Sequence, residues 1–285
     1  MKNFQLRLKT LVVQLHKSAD SYNRLETSTK KEFKLIVKSS FIKQLETLNA
    51  LVTESTEKSK FLFIPLLRGS CEDLIALNYI KQIFGRKSNR LVKLQITLGV
   101  NKSLTNQKVF FAKYRQNQRV LTEDDILEID RVKNEFKLLL QSKGINGNKL
   151  PSTEVMSKQI GMDDYYEFVF RGTSDFVHFN NGILARMAWS YKSGGMHLST
   201  NNFNDYYSQF SYFYSAFVFV KFCELFKKEI ELTKSDLVII SKMNNLILTE
   251  HFWPELVTFE EMNIRRPQQI TRILSESFSR LSRVE

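Results

Sequence analysis

Apolar residues recur three or four positions apart along most of the chain, which is the spacing of one face of an α-helix. The stretch 30–54 is an example, with Phe33, Ile36, Val37, Phe41, Leu45, Leu48, Leu51 and Val52 on one face. The same spacing predicts helices over residues 3–20, 30–54, 59–84, 123–142, 152–159, 162–191, 202–230 and 233–251. Alternation of apolar and polar residues, the pattern of a half-buried strand, does not compete with it.

Residues that favour helix ends support these boundaries. N-caps are predicted at Thr122, at Ser152 or Thr153, and at Thr233. Pro65 is expected to lie in the first turn of its helix or to kink it, and Gly85 is expected to end that helix. Gly99 and the polar stretch 101–107 predict that residues 88–118 form two helices instead of one.

The element pattern predicts an all-α protein, a four- or five-helix bundle in a single domain over residues 1–285. Residues 202–230 are apolar on nearly every side, which is typical of a helix at the centre of a bundle. We expect a core from about 30–85 and 152–250, a basic helical insertion at about 86–150, and a C-terminal helical arm at about 255–285 that includes a basic helix over 267–283.

Composition narrows the class of protein without identifying it. Hydrophobic residues make up 42% of the chain, which is ample for a packed core. Cys71 and Cys223 both lie in apolar helical stretches, so we expect reduced core residues and a cytoplasmic location. No apolar stretch is long and uninterrupted enough to predict a membrane span, and no targeting signal is visible.

The charge is strongly positive and unevenly distributed. The formal net charge is +12, and no carboxylate lies between Asp73 and Glu123. The predicted RNA-contacting residues of this basic interval are Arg86, Lys87, Arg90, Lys93, Lys113, Arg115 and Arg119. The interval is predicted to contact the phosphates of a nucleic acid. A solvated helical face and a surface for an acidic partner protein are the alternatives.

One predicted helix carries three chemically useful side chains. Seven residues make nearly two α-helical turns, so Arg171 and His178 would project almost in line, with Ser174 between them. A permanent cation, a hydroxyl group and an imidazole together could bind and cleave a phosphodiester, and they could equally form a buried polar cluster. Ser174 or Asp175 could fix the tautomer of the His178 imidazole.

A second polar pair lies in the apolar helix over 59–84. Arg68 and Glu72 are one turn apart, and charged groups in such a stretch need partners. One interpretation is an ion pair that braces the bundle. The other has Glu72 orienting Arg171 or His178 from the facing helix. Known cofactor and metal motifs are absent, so we predict no cofactor and no metal site.

The two polar segments together resemble a known group of proteins. The sequence PLLRGSCEDLIALNYI, followed after an insertion by a stretch that contains YYEFVFRGTSDFVHF, is similar to an uncharacterised bacterial all-helical family. That family has an Arg-x3-Glu helix and a later Arg-x2-Ser-x2-Val-His helix, and it resembles in turn the HEPN superfamily of helical-bundle ribonucleases. The resemblance covers about 60–85 and 150–230 and implies an HEPN-like fold.

The resemblance also implies an activity. HEPN ribonucleases resemble toxins and phage-defence effectors that cut RNA without a metal ion, commonly as homodimers in which two motifs share one cleft. It implies catalytic roles for Arg171 and His178, with Ser174, Glu72 and Arg68 beside them, and a neutralising or other partner protein.

Two other functions stay open. Gly172 follows the arginine, where active members commonly have a polar residue, and several relatives of the superfamily use the bundle only for binding. A non-catalytic RNA-binding or adaptor protein, with the cluster as a structural polar core, is therefore the main alternative. An enzyme that holds a small phosphorylated ligand between Arg171 and Arg68 is the third.

Overall fold

The computed structural model describes residues 2–18, 22, 31–54, 60–115, 118, 121, 129–178, 180–190 and 196–257. The chain forms two compact units, Met1–Phe252 and Trp253–Glu285. In the second unit only residues 253–257 are described, and they are not helical. The predicted helix over 267–283 and the rest of the predicted C-terminal arm lie outside the described residues, as do Thr122 and Arg119.

The architecture is an all-α helical bundle, as predicted. The helices are α1 Lys2–His16, α2 Glu32–Thr53, α3 Phe63–Tyr79, α4 Ser88–Tyr114, α5 Ile129–Gln141, α6 Thr153–Gln159, α7 Gly172–Ser174, α8 Asn181–Met187, α9 Asn204–Ile230 and α10 Lys234–Leu248. Tighter 3₁₀ turns cover Lys60–Leu62 and Gly85–Lys87, and wider π-helical turns cover Ile80–Phe84 and Tyr165–Arg171. In the part of the chain that the structure describes, no helix is long and apolar enough to cross a bilayer.

Helix α9 is the centre of the core, which confirms the prediction from its all-round apolar sequence. It packs against α2, α3 and α10, while α1 packs against α2 and α10. Aromatic pairs join these helices: the ring centroids of Phe41 and Phe219 are 5.7 Å apart, and those of Phe4 and Phe213 are 5.5 Å apart. Each such buried ring contributes about 1.5–3 kcal/mol relative to an exposed one.

Several predicted helix ends are confirmed by their hydrogen bonds. The hydroxyl group of Ser152 accepts from the Val155 amide at 3.4 Å and starts α6. The hydroxyl group of Thr233 accepts from the Asp236 amide at 3.2 Å and starts α10. Pro65 lies in the first turn of α3, and Gly85, at φ +49°, follows the π-helical turn at its end.

Helix α9 ends in a charged cluster. Glu231 follows the last residue of α9 in the left-handed conformation, at φ +65°. Its carboxylate is 2.5 Å from the Lys34 ammonium group and 2.8 Å from that of Lys38, both on α2. Hydrogen bonds from Lys34 and Lys38 lower the pKa of Glu231 to about 2. The Lys38 side chain is almost fully buried and the Glu231 side chain is 56% exposed, so Glu231 supplies the counter-charge at the edge of the bundle.

The predicted split of residues 88–118 is wrong, because α4 runs without a break through Gly99. A glycine costs about 1 kcal/mol inside a helix relative to alanine, and extending an existing helix is favourable enough to absorb that cost. Residues 116 and 117 lie outside the described residues.

The predicted helix over 162–191 is also wrong in its second half. The helical segment stops after Ser174, and a new helix, α8, starts at Asn181. The Asn180 side-chain oxygen accepts from the Gly182 amide at 2.8 Å and from the Ile183 amide at 3.1 Å, so it caps α8.

A short antiparallel hairpin, which the sequence did not predict, follows α8. Strand β1, Ala188–Ser190, pairs with β2, Met196–Leu198. Strands of three residues are too short to produce a clear alternating pattern in the sequence.

Candidate functional site

The two polar segments predicted to work together do meet in space. The Arg68 guanidinium group on α3 donates through Nε to the Ser174 hydroxyl group at the end of α7, at 3.2 Å. The two residues are 106 positions apart in sequence. The contact fixes the π-helical turn Tyr165–Arg171 and α7 against α3, so Ser174 lies at a junction of the bundle and not at a free helix end.

Arg68 has two further partners at this junction. Its Nη1 donates to the Glu72 carboxylate at 3.2 Å, which confirms the ion pair expected one helical turn apart. Its guanidinium carbon lies 4.3 Å from the centroid of the Phe170 ring. The Arg68 side chain is 21% exposed, so solvent screens these contacts only in part. Arg68 therefore holds the two segments together.

Hydroxyl groups help to shape the π-helical turn. A π-helical turn replaces the i→i+4 backbone hydrogen bonds with i→i+5 bonds. The Ser174 hydroxyl group donates to the carbonyl oxygen of Phe170 at 2.7 Å, and the buried Thr173 hydroxyl group donates to the carbonyl oxygens of Val169 and Phe170. Single-turn π bulges are common at functional sites, although they are not confined to them.

Arg171 faces a different neighbour from Ser174. Its Nη1 donates to the Glu167 carboxylate at 3.0 Å, and its side chain is 71% exposed. The hydrogen bond to Glu167 raises the pKa of Arg171, a guanidinium group that is charged at physiological pH in any case. The charge of Arg171 also helps to lower the pKa of Glu154 on α6, after the larger effect of Lys158. Arg171 is thus an exposed cation on the side of the segment that faces α6.

His178 lies one turn after α7 and is exposed. Its backbone amide donates to the carbonyl oxygen of Ser174 at 3.1 Å, within the turn that follows the last helical residue. The Phe176 ring anchors this turn, at 5.4 Å from the Phe61 ring and 5.8 Å from the Tyr207 ring. The imidazole of His178 therefore projects from a turn whose base is packed into the bundle.

The predicted orienting contacts to His178 are not observed. The Ser174 hydroxyl group is occupied by Phe170 and Arg68, and Glu72 bonds to Arg68 instead of Arg171 or His178. Arg68 takes Glu72 because the pair lies on one helix at the distance of a single turn. Among the described residues the His178 imidazole has no hydrogen-bond partner, so nothing in them fixes its tautomer.

The structure therefore divides the predicted site into two parts. Arg68, Glu72 and Ser174 form one cluster, which we call the α3–α7 brace. Arg171 and His178 are open to solvent beside it, and neither is sealed in the bundle. The predicted structural polar core of all five residues is wrong in this respect, since only three of them share contacts. The third predicted function needs Arg68 and Arg171 to hold one phosphorylated ligand between them. In the structure the Arg68 guanidinium group bonds to Ser174, and the Arg171 guanidinium group bonds to Glu167.

The predicted RNA-contacting residues are exposed where the structure describes them. They are Arg86, Lys87, Arg90, Lys93, Lys113 and Arg115. Two cations of the interval without carboxylates have counter-charges from other helices. Arg90 is 2.7 Å from Glu135 of α5, and Lys81 is 2.9 Å from Glu229 of α9. Packing against other helices supplies carboxylates that the local sequence lacks.

Two residues that contact the predicted site residues differ in how far the sequence reveals them. Glu167 precedes Arg171 by four positions, so a search for helical ion pairs would have found it. Phe170, which packs against Arg68 from another segment, gives no such signal because the contact depends on tertiary packing.

Comparison with known proteins identifies a family without a known activity. Residues 34–195, more than half of the chain, match the family described as "Family of unknown function (DUF5677)". The matched range includes both the α3–α7 brace and the two exposed residues beside it. No curated protein and no solved structure matches the chain.

Proposed function

We propose that this chain, which belongs to the family of unknown function DUF5677, is a metal-independent endoribonuclease in which Arg171 and His178 act on RNA. The observation that carries the proposal is the exposure of both side chains, Arg171 at the end of the π-helical turn and His178 in the turn after α7, beside the α3–α7 brace that holds this part of the chain against α3. The resemblance of the two polar segments to HEPN ribonucleases supports the same reaction, as well as a role in phage defence or as a toxin in the cytoplasm.

The reaction requires a base, an acid and a stabiliser of negative charge. The 2′-hydroxyl group attacks the adjacent phosphorus, the bond to the 5′ oxygen breaks, and the products are a 2′,3′-cyclic phosphate and a 5′-hydroxyl group. His178 takes the proton of the 2′-hydroxyl group or orients that group, a contribution of about 10²–10⁴-fold in rate. Arg171 stabilises the charge that develops on the phosphoryl oxygens.

Each chain supplies a single imidazole to this reaction, and the leaving 5′ oxygen also needs a proton. A homodimer would bring a second His178 to the same phosphodiester, which is the arrangement that the HEPN resemblance implies. The exposure of Arg171 and His178 is compatible with such pairing, because both groups can reach a substrate or a partner copy.

The test is cleavage of total RNA by the parent protein and by His178→Ala, with and without EDTA. We expect the parent to cut RNA equally well in EDTA, and His178→Ala to be slower by at least about 100-fold. His178 is exposed, so the variant should melt at the temperature of the parent. Equal cleavage by the two proteins, or loss of cleavage in EDTA, would contradict the proposal.

A second function is favoured by the α3–α7 brace itself. Arg68 contacts Ser174, Glu72 and Phe170 together, as expected of a structural cluster in a non-catalytic RNA-binding or adaptor protein. In that case Arg68→Ala should lower stability by about 1–3 kcal/mol, while His178→Ala changes neither stability nor RNA affinity. The endoribonuclease proposal shares the first expectation but predicts that His178→Ala removes cleavage.

A further inference from the structure

The second half of α4 has no role in the core of the bundle. The buried residues of this helix are Ser88, Leu91, Val92 and Leu94, all near its start. Beyond them the helix carries exposed apolar side chains, which are Ile96, Val100, Val109, Phe110 and Tyr114. Large apolar side chains grouped on an exposed surface indicate a binding site more often than isolated ones do.

Two of these side chains form an exposed aromatic pair. Phe110 and Tyr114 are one helical turn apart, their ring centroids are 4.8 Å apart, and they are 57% and 59% exposed. The Phe111 ring meets Phe110 edge-on at 5.7 Å. The pair thus presents ring surface to solvent on the last turns of α4.

Cations lie on the same side of the helix. Helical spacing places Lys102, Asn106 and Lys113 on one face with Phe110 and Tyr114, and all five are exposed. The Lys113 ammonium group lies 5.1 Å from the centroid of the Tyr114 ring, and Arg115 follows at once in the sequence. We call these five residues the α4 face, which is about 18 Å long from Lys102 to Tyr114.

The charge of α4 indicates the chemistry of its partner. The helix contains five basic residues and no acidic one. Two copies of such a face would repel each other, whereas a polyanion would be attracted. Exposed rings interleaved with cations are the combination that binds single-stranded nucleic acid, since the bases stack on the rings and the phosphates contact the cations.

We propose that the α4 face binds single-stranded RNA, with bases stacked on Phe110 and Tyr114 and phosphates held by Lys102 and Lys113 of this face and by the adjacent Arg115. This inference rests on the proposed function for the identity of the nucleic acid. A single strand is favoured over a duplex because stacked and paired bases do not offer their faces to a side chain. The α4 face thereby captures the substrate class on which His178 acts.

The test measures binding of a labelled 12-nucleotide RNA and of a duplex of the same sequence by fluorescence anisotropy at several salt concentrations. All proteins are full-length and carry His178→Ala, so that binding is measured without cleavage. The variants are Phe110→Ala with Tyr114→Ala, Lys113→Gln with Arg115→Gln, and Phe110→Tyr. Val238→Ala, which removes an exposed apolar side chain from α10, is the matched control.

We expect the aromatic double variant to bind the single strand about 10–100-fold more weakly, with an unchanged salt dependence. The basic double variant should lose about 0.7 in the slope of log K against log salt for each phosphate contact that is removed. Phe110→Tyr and the control should bind like the parent, and the duplex should bind weakly with no effect of the aromatic substitutions.

Three results would overturn the inference. The first is that the aromatic double variant binds the single strand as tightly as the parent. The second is that this variant loses equal affinity for the single strand and for the duplex. The third is that the parent is a dimer which this variant separates into monomers, while the affinity for RNA does not change. Binding that depends on the α4 face, in a parent protein that does not cleave RNA, would support this inference while the proposed endoribonuclease fails. If the parent cleaves RNA but its RNA affinity does not depend on the α4 face, the proposed endoribonuclease stands and this inference fails.

Discussion

Helices α4 and α9 both contain 27 residues, yet they have opposite places in the molecule. Helix α9 buries 14 residues along its whole length, whereas α4 buries four, all within its first seven positions. Helix α9 is stabilised mainly by packing, as most helices in proteins are. The second half of α4 has no fully buried residue, and its exposed side chains, Phe110 and Tyr114 among them, are available to bind a partner.

The same contrast separates the two parts of the candidate site. The side chains of the α3–α7 brace, like those of α9, have their partners within the protein. Arg171 and His178, like the side chains of the α4 face, are exposed to solvent. Groups that are satisfied inside the fold maintain the structure, and groups that are exposed on a fixed support are the ones available for RNA.

The largest expected effect comes from truncating one aromatic ring on each helix. Phe222 on α9 is fully buried, with its ring centroid 4.7 Å from that of Phe226. Phe222→Ala should lower the free energy of unfolding by about 3–5 kcal/mol because it leaves a cavity. Phe110→Ala on α4 should change it by less than about 0.5 kcal/mol. Urea unfolding measures both, and similar losses would refute the contrast between the helices.

An intermediate effect is expected at the end of α9. Glu231→Gln removes the counter-charge of Lys34 and Lys38, and we expect a loss of about 1–2 kcal/mol at neutral pH, because solvent screens a carboxylate that is 56% exposed. The matched change on α4 is Glu135→Gln, which removes the partner of the exposed Arg90 and should cost less than about 1 kcal/mol.

The Glu231 effect should also depend on pH in a defined direction. The folded state lowers the pKa of Glu231 to about 2 from an ordinary value of 4.5. The stabilisation is therefore complete above pH 4.5 and is lost as the pH falls toward 2. Unfolding curves of the parent and of Glu231→Gln should converge over this interval. A gap between the two proteins that stays constant down to pH 2 would contradict the assigned ion pairs.

The smallest expected effect is a gain of stability in α4. A Cβ atom added at Gly99 would meet no neighbouring atom within 4 Å. Gly99→Ala should therefore raise stability by about 0.5–1 kcal/mol through helical propensity alone. Thermal unfolding measures the gain, and a loss would mean that this part of α4 contacts something that glycine alone accommodates.

Local sequence patterns predicted the parts of the fold that local physics determines. The all-α class, the central place of α9 and the caps at Ser152 and Thr233 follow from periodicity and hydrogen-bonding side chains. The continuity of α4 through Gly99 does not follow from local propensity, because the cooperativity of an existing helix outweighs one unfavourable residue. The break before α8 is fixed by the side chain of Asn180, which caps the new helix and which apolar periodicity does not register.

The candidate site was predictable only in part for the same reason. The pairing of Arg68 with Glu72 follows from spacing along one helix, and it was found. The contacts of Arg68 with Ser174 and Phe170 depend on how α3 packs against the π-helical turn, and no local pattern contains that information. The in-line arrangement of Arg171 and His178 assumed a regular α-helix, and the chain leaves α-helical geometry after Ser174.

The central claim is that His178 promotes attack of a 2′-hydroxyl group on the neighbouring phosphate. Its most direct test uses a DNA oligonucleotide with a single ribonucleotide, incubated with the parent and with His178→Ala, and analysed by mass spectrometry. The account predicts one cut by the parent, directly after the ribonucleotide, with a 2′,3′-cyclic phosphate at the new end and no product from the variant. Cuts at deoxynucleotides, or the same product from both proteins, would contradict it.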